Sequence, residues 1–80
     1  MTPTVFREGP FRVHFFSLEE PRMHVHVVTS DGEAKFWMEP EIELARNYGL
    51  SDQVLNRALK LVTERHQEIR DAWNKHFPKS

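Results

Sequence analysis

Apolar residues alternate with polar ones through the first half of this chain. In the second half they recur every three or four residues, and the change falls near Gly49. From residue 51 onward the pattern is helical. Ser51 is placed to cap a helix beginning at Asp52, its hydroxyl accepting from a free backbone N–H of the first turn. Asp52 adds a negative charge where the helix dipole favours one. Leu55, Ala58, Leu59, Val62, His66, Ile69, Ala72, Trp73 and Phe77 form one stripe, which predicts that His66 is a core or boundary residue. Arg57, Lys60, Glu64, Glu68 and Asp71 mostly fall outside the stripe and are expected to face water, and Pro78 ends the segment. The spacing predicts one helix over residues 52–77, about 37 Å long at ~1.5 Å per residue. That is longer than a small sheet is wide, so the end carrying Trp73 and Phe77 is expected to overhang and to need another surface.

The first half reads as antiparallel strands separated by breakers. Val5 to Arg7 leads into a turn at Glu8-Gly9-Pro10, and residues 11–17 suit a pleated surface. A polar connection precedes a third strand at residues 24–29. Asp31-Gly32 is a strong hairpin signal, followed by a fourth strand at residues 34–38. Residues 41–48 fit either a short helix begun by Pro40 and stopped by Gly49, or a fifth strand. The expected architecture is α+β, one domain over residues 1–80. Four to five antiparallel strands (about 4–48) carry one long C-terminal helix on one face.

Alternation assigns the faces. Met23, Val25 and Val27 should meet the helix stripe, so His24 and His26 point away from it. With Asp31 and Gly32 as the two turn residues, Val27 pairs with Phe36, Val25 with Met38, His26 with Trp37, and His24 with Glu39. Phe11, Val13 and Phe15 form the apolar set of the preceding strand, which sends Arg12, His14 and Phe16 to the histidine side. The far face then collects Arg12, His14, Phe16, His24, His26, Lys35, Trp37 and Glu39.

Composition narrows what this face could do. The chain has 80 residues and buries a thin core, so a partner subunit or a second copy would help it. Eleven Lys and Arg against twelve Asp and Glu leave a net charge of −1, which is not the signature of a general nucleic-acid binder. There is no cysteine, which excludes disulfides, zinc–thiolate sites and thiol nucleophiles. No apolar run approaches the ~20 residues that cross a bilayer, and MTPTVFREGP lacks a signal pattern. The expectation is a soluble cytoplasmic protein without a membrane partner. No Gly-rich phosphate loop is present, and Ser17, Ser30 and Ser51 sit at turns or caps, where serine needs no nucleophilic role.

Three functions follow for the histidine face. Exposed aromatics mark contact surfaces, so His14, Phe16, His24, His26, Trp37 and Glu39 are candidates for binding a partner, either another protein or a second copy. His-x-His on a strand can present two imidazoles to one divalent metal, with His14 or Glu39 completing the set, and a bound ion would activate water for hydrolysis. His24 and His26 could instead act as acid and base in metal-free RNA cleavage. In a nucleic-acid role Trp37 would stack on a base while Arg12, Lys35 and Arg46 hold phosphates. Whether the chain is an enzyme is left open by these residues.

The stretches TPTVFREGPFRVHFFS, PRMHVHV and DGEAKFWMEPEIELARNYGLS, and the segment ending ALKLVTERHQEIRDAWNKHF, together resemble the small bacterial family catalogued as domain of unknown function four-one-six-zero. The resemblance spans nearly the whole chain. Its most specific piece is Pro-Pro-His-x-His, represented here by residues 21–26, with Arg22 and Met23 just before His24. The resemblance implies a strand for residues 41–48. It also implies a gene often found beside another small protein in pairs that look like toxin–antitoxin modules. It carries over His24 and His26 without a role.

Overall fold

The computed structural model describes residues 4–15 and 22–77. Five strands run in chain order: β1 (Thr4–Glu8), β2 (Phe11–His14), β3 (His24–Thr29), β4 (Gly32–Trp37) and β5 (Glu43–Tyr48). Each pairs antiparallel with the next, so sheet order equals sequence order. Residues 41–48 thus supply a strand, as the resemblance implied. Phe16 and Ser17, placed in the second strand by alternation, lie outside the described residues.

One face of the sheet is dry. Phe11, Val13, Phe15, Met23, Val25, Val27, Ala34, Phe36 and Met38 are buried there with Ala58, Leu61, Val62, Ile69 and Trp73 of the helical half. The strands are rich in Val and Phe, whose branched and aromatic side chains pack well on a pleated surface.

The helical half departs from the expectation of one long helix. It forms α1 (Asp52–Glu64) and α2 (His66–His76), broken at Arg65, whose φ of −112° and ψ of 27° leave the helical region. Ser51 caps α1 as expected, accepting from Val54 N–H at 3.2 Å. Two features accompany the break. Thr63 Oγ1 donates back to the Leu59 carbonyl at 2.8 Å, a bond that bends helices. Arg65 is anchored to β1, its guanidinium 3.5 Å from the Phe6 ring and bonded to Glu8 at 3.0 Å. Ile69 and Trp73 are buried and Phe77 is half-buried against the core, so the expected overhang does not occur. Arg70 ties α2 to the end of β4 by donating to the Met38 carbonyl at 2.8 Å. The stripe also rotates: Leu61 is buried, whereas Leu59 and His66 are exposed. His66 is therefore a surface residue.

The hairpin register also differs from expectation. Thr29 pairs with Gly32, so Ser30 and Asp31 form the turn, with Thr29 Oγ1 accepting from Asp31 N–H at 3.1 Å. The pairs are His24↔Trp37, Val25↔Phe36, His26↔Lys35 and Val27↔Ala34. Gly32 serves the sheet rather than the turn, because a Cβ there would collide with the Tyr48 carbonyl of β5. The displacement is two residues, which changes each partner and preserves every face.

Candidate functional site

β2, β3 and β4 bring three histidines together. His14 pairs with His26 across β2 and β3, and their rings stack with centroids 5.4 Å apart. His24 and His26, two residues apart on β3, meet edge to face at 5.4 Å. By register, His14 and His26 share the side of Lys35 and Arg46. All three imidazoles are buried, with exposures of 3% for His14, 0% for His24 and 5% for His26. The expectation of an open histidine surface is thus corrected: the rings form an inner layer. His24 also breaks the two-sided layout, because its ring meets Trp73 of α2 at 5.1 Å as well as Trp37 at 5.8 Å. Trp73 of α2 meets both His24, at 5.1 Å, and Phe15, at 5.3 Å.

Two ring nitrogens have defined duties. His24 Nδ1 donates to the Arg22 carbonyl at 2.7 Å, and His26 Nδ1 donates to Glu33 Oε2 at 2.9 Å. Glu33 lies one position diagonally from His26, opposite Val28. Both contacts fix the tautomer with hydrogen on Nδ1 and leave Nε2 as the basic nitrogen of the neutral ring. Burial lowers the His14 pKa from its ordinary value; the neighbouring His26 and Arg12 charges lower it further, while Glu33 opposes them.

Trp37 is the half-exposed member of the cluster. The Arg22 guanidinium lies 4.2 Å from its ring centroid and the Lys35 ammonium 4.5 Å. Arg22 is steadied by donating Nε–H to the Glu39 carbonyl at 2.9 Å. Glu39, expected opposite His24, instead accepts from Met23 N–H at 3.1 Å through Oε1. Among the nucleic-acid candidates, Lys35 and Arg46 are direct cross-strand partners. Arg12 stands on the far side of β3, opposite Val28, and donates to Thr4 Oγ1 at 3.2 Å. Phe16 lies outside the described residues.

Among the described residues, no three His, Asp or Glu side chains are placed to hold one metal ion. Nor is any described helix long and apolar enough to cross a membrane. Sequence reasoning missed Glu33, Arg22 and Trp73. Glu33 was accessible to parity, since it shares the odd positions of β4 with Lys35 and Trp37. Arg22 reaches the site from a loop, which leaves no periodic trace; Trp73 lies in the apolar stripe, but its contact with His24 is a product of tertiary packing.

No curated protein and no solved structure matches the chain. A family model, domain of unknown function DUF4160, matches residues 11–74, from the start of β2 to near the end of α2. This span holds every residue of the histidine layer, and the chain belongs to the DUF4160 family.

Proposed function

We propose that this chain is a protein-binding module of a toxin–antitoxin-like gene pair, acting in the bacterial cytoplasm, and that its contact surface is centred on Trp37. The observation that supports this is the bracing of a half-exposed indole by Arg22 at 4.2 Å and Lys35 at 4.5 Å. Trp and Arg dominate interface energetics, and a ring already held in place loses little freedom when a partner covers it. The two cations favour an acidic partner surface. His24 packs edge to face against the indole, and His26 and His14 pack in turn behind His24. The gene-pair assignment rests on the family resemblance.

One contact favours an enzymatic alternative. Glu33 orients His26 at 2.9 Å, the arrangement a general base needs. His26 would take a proton at Nε2 in metal-free RNA cleavage, with His24 as the acid. A metal-dependent hydrolase is the remaining reading; it requires His14, His24 and His26 to rearrange, since no three such side chains among the described residues are placed to share one ion.

Co-purification from the native cell separates these, with metal content and RNA cleavage measured on the same sample. The leading reading expects the product of the neighbouring gene in stoichiometric amount and intact RNA. Recovery of the chain alone contradicts it. Stoichiometric zinc, manganese or nickel supports the metal reading. RNA cut by the wild type and spared by Glu33→Gln supports the general base.

A further inference from the structure

Among the described residues β5 is an edge strand, paired with β4 on its inner side. Five of its six residues are exposed, and Ala45 is half-buried. Leu44 is 41% exposed and Tyr48 56%. Glu-Leu-Ala-Arg-Asn-Tyr has neither the lysine nor the proline that often blunts an edge strand, although its two charges and its bulge are edge devices of the same kind.

The strand also has a bulge with a specific consequence. Pairing with β4 runs Trp37↔Glu43 and Phe36↔Leu44, then jumps to Lys35↔Arg46, leaving Ala45 without an opposite residue. Residues three apart in a regular strand point to opposite faces. Here Glu43 and Arg46 both fall on the face of Trp37 and Lys35, because the extra residue restores their parity. Arg46 already lies over this face, donating to the Tyr48 hydroxyl at 3.2 Å.

We infer that β5 pairs antiparallel with β5 of a second copy, joining two sheets across a two-fold axis between Leu44 and Ala45. In that register Glu43 of each copy opposes Arg46 of the other, which gives two ion pairs on one face, and Leu44 opposes Ala45. A symmetric contact requires a self-complementary patch. The strand satisfies that requirement only because the bulge brings its acid and its base to the same side. The inference concerns the sheet edge and stands whether or not the Trp37 face binds a protein.

Charge reversal tests it. Sedimentation of the full chain from about 5 to about 500 µM should show the wild type passing from monomer to dimer. Glu43→Arg places Arg opposite Arg46, and Arg46→Glu places Glu opposite Glu43, so each variant alone should dimerise at least ~tenfold more weakly. An equimolar mixture of the two should associate again, since one ion pair is native and the other reversed. Circular dichroism checks that each variant is folded, and the recovery in the mixture excludes misfolding as the cause. A wild type that stays monomeric at the highest concentration overturns the inference. So does dimerisation unchanged in both single variants. If instead the monomer takes up the neighbouring-gene product and both variants lose it, the edge belongs to that partner and self-pairing is wrong.

Discussion

His14 has a buried imidazole, and its environment favours the neutral ring. Desolvation lowers its pKa, the charges of His26 and Arg12 lower it further, and the Phe15 backbone hydrogen bond and Glu33 only partly compensate. Unfolding restores the ordinary value near ~6.5, so between the two values the unfolded chain binds more protons than the folded one. The contribution of His14 is therefore complete above pH ~6.5 and is lost as pH falls below it, with a slope of at most about 1.4 kcal/mol per pH unit from one group. Urea unfolding followed from about pH 8 to about pH 5 should show this decline, and His14→Phe should make it shallower. An identical slope in the variant would mean that His14 is solvated.

Among the elements, α2 reaches the histidine cluster through Trp73, which meets His24 at 5.1 Å. The overhang expected of a single 52–77 helix does not occur, because α2 buries Trp73 against Phe15 and His24. Trp73→Ala should then destabilise the fold by ~3–5 kcal/mol, read as a lowered urea midpoint. An overhanging tryptophan would cost little when removed. The break between α1 and α2 could not be read from the sequence, because the apolar stripe continues through Arg65 and no Gly or Pro interrupts it. The Arg65–Glu8 contact that accompanies it links residues at opposite ends of the chain. The strands were legible because alternation is local. The hairpin register was not, because Asp-Gly is a turn signal in isolation while Gly32 is needed where β5 approaches. The grouping of His14, His24 and His26 followed from parity alone, which a two-residue displacement leaves intact. Their burial did not, since periodicity gives direction and says nothing of what lies on top. Glu33 as the partner of His26 required the true register.

On the scale of the whole molecule, a small core supports two different surfaces. One side of the sheet packs against α1 and α2; the other carries His14 and His26, with a braced indole beside His24, whose ring also meets Trp73 of α2. The β5 edge is a third exposed region, where Glu43 and Arg46 share a face. In the proposed function the imidazoles are structural and Trp37 makes the contact. Calorimetric titration with the neighbouring-gene product, comparing wild type with Trp37→Ala, tests this most directly. The prediction is a saturable wild-type interaction weakened at least ~thirtyfold, about 2 kcal/mol, in a variant that keeps its secondary structure. Equal affinity for both proteins, or no interaction by either, would contradict it.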